Sequence, residues 1–486
     1  MRRRKGVSIS TGRKIIVLTF GYALFIAAAS LAFTPQGYLQ LPSETPIVRI
    51  CNNIGFVAGY LLIAITTARK DLRAMPMWVP GIAGAVVIGC QVLFTLQNSG
   101  SLVVIDWMPA ALHGATGASF ALLFTFWAST AYLIDGKRFR FIVLAGSLIS
   151  SFIVVFASAA ESFFVASLVK CAAMMSSLGL LAYFHYATGR LFAQAATRPV
   201  TAPRPEDAVS PRSRRLQGLF IPVVATGILG FVYQYAWTFV GVNDLAALSF
   251  AIGEAFAVAL IFLFASLPNS HSFSVSRVFR VLCPVACIAT VPLFFTSGIL
   301  QLLLMGIDSA VFNLFIILLM PLCASIGKRK RLSIPWLYAA AASVVNLFPT
   351  LGFAVGSAPL VRESVALYIT VFVLMAALFV AAFLADRETD DLDLSLGDPS
   401  GGAPRSAPAV ASRMQIALRI SEEYGLTKRE CEILELILLG RNVPNIAEEL
   451  VISSNTVKTH IKRMYQKLGI HSRQELADLT EDLETS

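Results

Sequence analysis

Over most of this chain apolar residues come in unbroken runs rather than in alternation. Stretches of roughly twenty residues with hardly a charge recur near 15–33, 47–68, 77–96, 109–134, 141–160, 163–187, 219–240, 245–267, 279–296, 299–326, 334–355 and 365–384. A helix of that length crosses about 30 Å of hydrocarbon, so each run predicts a membrane-spanning helix. Twelve are expected. The first run follows the basic segment MRRRKGVSISTGRK, as a secretory signal does, but eleven comparable runs come after it and it reads as the first spanning helix.

Past residue 385 the pattern changes. ADRETDDLDLSLGDPSGGAPRSAPAVAS has an acidic start followed by Gly, Pro, Ser and Ala, which predicts a flexible tether over 386–412. From Arg413 onward apolar positions recur at helical spacing with polar residues between them, the pattern of a soluble helical unit. The expected organisation is a basic terminus (1–14), a polytopic membrane domain (15–385), the tether (386–412) and a soluble domain (413–486). Between the sixth and seventh runs, TGRLFAQAATRPVTAPRPEDAVSPRSRRLQ is rich in Pro and Arg and is expected not to fold by itself. This central loop, 188–218, divides the membrane domain into six plus six.

Composition agrees with the pattern: 56% of the 486 residues are hydrophobic and 14% charged, which argues against a soluble multidomain protein. The net charge of +10 sits largely in short loops and so reports topology rather than a nucleic-acid partner. Loops carrying Arg69-Lys70-Arg73, Lys137-Arg138-Arg140, Arg190 to Arg215, Arg277 with Arg280, and Lys328 to Arg331 alternate with loops whose only cations are Arg49 and Arg362. The positive-inside rule then places both termini, and the soluble domain, on the cytoplasmic side of the cell membrane. The seven cysteines show no metal-ligand spacing or disulfide framework, and Cys283 and Cys287 read as packing residues.

The soluble domain reads as four short helices. Arg413 to Tyr424 leads in, with Met414, Ala417, Leu418 and Ile420 to bury. Thr427 is a good N-cap for the next helix, Glu430 stands where a capping box needs its acid, Leu426 with Cys431 suits a hydrophobic staple, and Gly440 ends the helix. A second helix from about Asn442 tolerates Pro444 in its first turn, buries Ile446, Ala447 and Leu450, and stops at Val451-Ile452. Ser453 caps the third and Gly469 closes it, with Val457, Ile461, Met464 and Leu468 on one face. Asn455, Lys458, Thr459 and Lys462 line its outer side, with Arg463, Lys467 and Arg473 flanking. From Arg413 on there are ten Lys or Arg and twelve Asp or Glu, yet no acid occurs between Glu449 and Glu475. A solvated charged face is the bland reading. Charge concentrated on one helix after a short helix and a tight turn is instead the geometry that enters a DNA major groove.

Leu426-Thr427 with Arg429-Glu430, Ile446-Ala447, Leu450, Ser453, Thr456-Val457-Lys458-Thr459-His460, Lys467-Leu468-Gly469 and Ser472-Arg473 stand at the spacing of a known family. Over these roughly fifty residues the chain resembles the LuxR/FixJ/NarL-type helix-turn-helix domain of bacterial transcription regulators. The resemblance implies base or groove contacts from Lys458, Thr459 and Lys462, phosphate contacts from Thr456, Val457 and His460, and dimerisation on promoter DNA through the last helix, from Ser472. Pro444-Asn445 departs from the family, which usually carries a charged residue and a Glu there. The six-plus-six layout resembles the major facilitator superfamily at the level of fold only; the loop ARKDLRAMP is at best a weak echo of its Gly/Asp/Arg loop.

Ionisable groups inside a bilayer cost roughly 2.5 to 3.5 kcal/mol each on insertion scales, so their presence asks for a reason. Asp106, His113, Glu161, Lys170, Glu254 and Asp308 all fall in outer halves of helices or near the midplane. Of these, His113, Lys170, Glu254 and Asp308, with Tyr233 and Gln234, are candidate small-molecule-sensing residues, and Arg49, Gln91 and Tyr235 lie at similar depth. In the competing reading Glu254 or Asp308 merely pairs with Lys170 to hold helices together. Trp107 and Trp237 read as interfacial belt anchors. No nucleophile elbow, phosphate loop or metal cluster is legible, and no cofactor is expected. The expectation is an all-α membrane-embedded transcription regulator, not an enzyme, with duplex DNA, the lipid bilayer and an unidentified small molecule as partners. The alternative is a transporter with a fused regulatory tail.

Overall fold

The computed structural model describes residues 11–31, 45–68, 76, 78–101, 107–159, 162–197, 217–240, 253–260, 275–293, 295–330, 332–358, 373–377, 380, 417, 419–438, 443, 446–447, 450, 453–470 and 475–476. Among them every regular element is helical, and the chain divides into two compact units, Met1–Gly397 and Asp398–Ser486.

The first unit contains α1 (Thr11–Leu31), α2 (Thr45–Ala68), α3 (Trp78–Asn98), α4 (Met108–Ser129), α5 (Gly136–Ala159), α6 (Phe163–Thr197), α7 (Gln217–Val240), α8 (Val275–Leu293), α9 (Gly298–Lys330) and α10 (Ile334–Ser357). A 3-10 turn, Thr130–Leu133, prolongs α4. These match ten of the apolar runs. The runs near 245–267 and 365–384 are described only at 253–260 and at 373–377 and 380, helical in each case. Eight helices among the described residues are long and apolar enough to cross a membrane. Their outward faces carry Leu62, Ile65, Phe156, Phe164 and Ile299, each more than 60% exposed, a surface suited to lipid rather than water.

One difference from expectation lies in the central loop. α6 runs 35 residues, through Tyr186 to Thr197, so the first part of 188–218 is helix. Tyr-Ala-Thr-Gly-Arg-Leu-Phe-Ala-Gln-Ala-Ala is rich in good helix formers, and a preceding helix supplies the nucleus that an isolated segment lacks.

Lipid tails are as apolar as leucine, so the helices are held by close fit rather than by a hydrophobic drive between them. On α2, Gly55 and Gly59 lie against the backbone of Gly114 and Ala118 of α4, and Gly117 of α4 lies against the carbonyl of Asn52. A side chain at Gly55 or Gly117 would collide with main-chain atoms that cannot rotate away. Gly352 of α10 meets the backbone of Phe231 on α7 in the same manner. Between these contacts runs an aromatic core: Phe25 with Phe124 at 4.7 Å, Tyr22 with Trp127 at 5.4 Å, Phe56 stacked on Phe120 at 6.1 Å. Tyr60 of α2 meets Tyr338 of α10 edge-on at 6.0 Å, joining the two sequence halves.

The second unit has its own core of Ala417, Ile420, Ile433, Leu434, Ile446, Val457, Met464, Leu468 and Leu476. Its two long helices are α11 (Lys428–Leu438) and α12 (Ser454–Leu468). Residues 443 and 446–447 are helical between them, as are 417, 419–423 and 475–476 at the two ends. Met414, Leu418, Gly440, Asn442, Pro444-Asn445, Val451-Ile452 and Ser472-Arg473 lie outside the described residues.

Candidate functional sites

In the second unit the scaffold that presents α12 is tied at both ends. The Thr427 amide donates to Glu430 Oε2 at 2.8 Å and the Glu430 amide to Thr427 Oγ1 at 3.3 Å, which closes the capping box. Arg429 pairs with Glu432 at 2.6 Å and donates to the Leu450 carbonyl at 2.8 Å, fixing the end of the middle helix against α11. Ser453 Oγ accepts from the Thr456 amide at 3.1 Å, and the Gly469 and Ile470 amides both return to the Tyr465 carbonyl, with Gly469 at φ 69°. A positive φ is the conformation that favours glycine at a helix end.

Val457, Met464 and Leu468 are buried, and Ile461 is partly so. The other side of α12 faces solvent. At about 100° per residue, Asn455, Lys458, Thr459 and Lys462 fall within an arc of about 100°, with Arg463 beside them. All five are exposed, as is Thr456, while His460 is half-buried. Among the described residues no acid pairs with Lys458, Lys462 or Arg463, and the Thr459 hydroxyl donates to the Asn455 carbonyl at 2.9 Å. The Val457 side chain is fully buried and its amide donates to the Ser453 carbonyl.

Lys467 is placed differently. Its ammonium lies 2.7 Å from Glu430 Oε2 and donates to the Gly425 carbonyl at 3.1 Å, clasping the end of α12 to the start of α11. It stands about 180° around the helix from Lys458, a separation that the nine-residue spacing carries. Burial alone would raise the Glu430 carboxyl; the Lys467 ammonium and the amide and hydroxyl of Thr427 outweigh it and hold the group below the ordinary glutamate value.

The membrane unit holds a cavity of about 170 Å³ lined from both sequence halves. Three of the sequence-predicted sensing residues, Tyr233, Gln234 and Glu254, line it, with Arg49. Arg49 is 9% exposed, donates from Nη2 to Gln234 Oε1 at 3.2 Å, and stacks over Trp237 at 5.1 Å and Phe353 at 4.8 Å. Trp237 is thus not a belt anchor: it is 4% exposed and packed under a guanidinium, whereas Trp107 is 66% exposed. Glu254 is 5% exposed, within 3.5 Å of the Ser150 hydroxyl of α5.

The other candidates lie elsewhere. Lys170 of α6 donates to Gln91 Oε1 at 2.7 Å, and Gln91 donates to Ser167 at 2.7 Å. His113 rests on Phe94, ring centroids 4.3 Å apart. Asp308 of α9 accepts from Thr290 of α8 at 2.8 Å. Pairing of Lys170 with Glu254 or Asp308 does not occur, and Asp106 and Glu161 lie outside the described residues. Asn53, Asn313 and Asn346 also line the cavity; an amide inside an apolar run is the sequence signal that marks them. Among the described residues no group of His, Cys, Asp and Glu is arranged to hold a metal.

A capped three-helix unit with an uncompensated basic face on its last long helix defines a DNA-binding helix-turn-helix domain. Residues 425–480 match the family described as bacterial regulatory proteins, luxR family, so the chain carries a LuxR-type domain at its C-terminal end. Over 48 residues, 10% of this chain, it is 48% identical to the probable transcriptional regulatory protein NarL of Mycobacterium tuberculosis, spanning 22% of that protein. It is 45% identical over 58 residues, 12% of this chain, to the HTH-type transcriptional regulator MalT of Serratia proteamaculans, spanning 6% of it. The matches therefore cover less than a quarter of these relatives. Among solved structures, FucP, a major facilitator superfamily transporter in the outward conformation, aligns with a TM-score of 0.47 at 13% identity over 78% of this chain and 98% of its own. The proton:xylose symporter XylE aligns at 0.48 and 13% over 79% and 97%. Likeness at that level transfers neither substrate nor activity.

Proposed function

We propose that this protein is a membrane-embedded one-component transcription regulator, not an enzyme, in which the polytopic domain senses a small molecule and controls the helix-turn-helix domain. Both termini lie in the cytoplasm, where the basic loops also fall. Lys458, Thr459 and Lys462 enter the major groove; Asn455, Arg463 and the first turn of α12 at Thr456, Val457 and His460 contact the backbone, Val457 through its main chain. Lys467 acts on DNA only through the position it gives α12. Two copies meet on promoter DNA through the last helix.

The observation that carries this reading is the exposed arc of α12, whose cations pair with no acid among the described residues, while Lys467 on the far side of the same helix is paired with Glu430. Sensing works by population shift, so a ligand changes DNA binding only by as much as its affinity differs between the two states. Footprinting of promoter DNA with Lys458→Ala and Lys462→Ala is expected to show losses of about 1 to 3 kcal/mol where either side chain reads a base. Full affinity in both variants overturns the groove assignment.

A cavity reached from both sequence halves also suits a transporter with a fused regulatory tail. Proteoliposomes separate the two readings: a transporter moves its ligand across the bilayer, whereas a sensor binds it without turnover.

A further inference from the structure

Two side chains of complementary charge type, an arginine and a glutamate, line the cavity in the membrane unit without pairing with each other. Arg49 approaches from α2, held by Gln234 and Trp237 of α7 and Phe353 of α10, and no carboxylate among the described residues pairs with it; its Nε has no hydrogen-bond partner among them. Glu254, in the helical stretch 253–260, sits beside Ser150 of α5, and its Oε2 is likewise unpartnered. Each side chain is more than nine-tenths buried. A buried charge without a partner is costly, and two complementary ones in one cavity would relieve that cost by pairing with each other. Instead each is held from a different side, Arg49 by aromatic stacking and an amide and Glu254 by a hydroxyl. Tyr22, Phe56, Tyr60 and Phe312 are among the other lining residues.

From this arrangement we infer that the cavity binds a small zwitterion, its carboxylate on Arg49, its ammonium on Glu254 and an apolar, preferably aromatic, body between them. Arg offers a planar fork that matches a carboxylate, and Gln234 fixes the plane of that fork. Aromatic faces accept both a flat ring and the edge of a cation. The volume of about 170 Å³ sets the size, since an engineered cavity of about 150 Å³ takes a benzene ring. A monocyclic body with one short arm at each end is therefore the upper limit. The inference rests on the sensing reading of the same cavity and names the class of ligand.

The test uses full-length protein in lipid nanodiscs, titrated with p-(aminomethyl)benzoate, with its one-ended analogues p-methylbenzoate and p-methylbenzylamine, and with straight-chain ω-amino acids of graded length. Binding is read by calorimetry and by thermal shift. At least one two-ended compound is expected to bind, with p-methylbenzoate and p-methylbenzylamine weaker by about tenfold or more, since each loses a charge-assisted hydrogen bond. Arg49→Gln should bring the zwitterion down to the level of the amine, and Glu254→Gln down to that of the acid. If either variant fails to fold, Arg49→Lys and Glu254→Asp should give graded losses on the same two ends. A one-ended compound that binds as tightly as its zwitterion refutes the zwitterion while leaving a ligand site in the cavity. No binding by any compound refutes the inference outright, and the groove assignment then still stands or falls on footprinting.

Discussion

Replacing Glu430 with glutamine leaves the side chain's shape and removes its charge. In the native domain that carboxylate is 4% exposed, accepts from the Thr427 amide at 2.8 Å and faces Lys467 at 2.7 Å. A hydrogen bond to a charged group contributes roughly 1.5 to 3 kcal/mol. Glutamine keeps an acceptor for Thr427, and the Lys467 side chain is about a third exposed, so solvent screening reduces the ion-pair share to under about 1 kcal/mol. The expected cost is about 1 to 2 kcal/mol near neutral pH, against roughly 0.5 to 1 for Lys467→Met. The double variant should lose less than the sum, because the two changes remove one shared interaction. The pH dependence has a definite sign. Because the folded carboxyl is held below its ordinary value of about 4.3, its stabilisation is present above that value and is lost as pH falls through the lower folded one. Urea unfolding of the compact unit Asp398–Ser486, followed by circular dichroism, should therefore show wild type and Glu430→Gln far apart at about pH 7 and converging in acid. A gap that stays constant between neutrality and about pH 3, or one below about 0.5 kcal/mol throughout, refutes the clasp.

Gly117→Val should prevent α4 from seating on α2, since the added carbons meet the Asn52 carbonyl, and the full-length protein should lose its cooperative melt in detergent; Gly81→Ala, with open space around it, should melt like wild type. Lys170→Met should leave the melting temperature unchanged or raise it, because it replaces a buried ammonium by an apolar chain of similar length. Gln91→Leu should lower it, because it strips that ammonium of the amide oxygen that accepts from it; a stable Gln91→Leu would show that Lys170 reaches water.

Most of the fold is legible in the sequence, because a membrane helix announces itself by length and polarity over one continuous stretch. The helix-turn-helix unit is legible for a similar reason: its caps at Thr427, Ser453 and Gly469 and its core spacing from Val457 to Leu468 are local patterns. The cavity is only half legible. Depth along a helix can be counted from its ends, which grouped His113, Lys170, Glu254 and Asp308 together. The direction a residue faces around its helix depends on neighbours far away in the chain, and these separate Lys170 and Asp308 from Glu254. The contact between Arg49 and Gln234 spans 185 residues and leaves no trace in either local pattern. Lys467 illustrates the opposite failing. Its angular distance from Lys458 follows from the spacing, but its partner Glu430 lies on another helix, in a capping box whose local pattern says nothing of a distant lysine.

Tyr132, in the short turn after α4, donates to the Leu332 carbonyl at 3.2 Å and accepts from the Ile334 amide at 2.8 Å, while Lys328 donates to the Ile134 carbonyl at 2.6 Å. This latch between the halves reads only peptide atoms on its receiving side. Positions 134, 332 and 334 can therefore drift through many side chains without loosening these three bonds, whose side-chain partners are one phenol and one amine. Drawing Tyr132 away from residues 332–334, or Lys328 away from Ile134, breaks bonds to the main chain that a substitution at the receiving positions would leave intact.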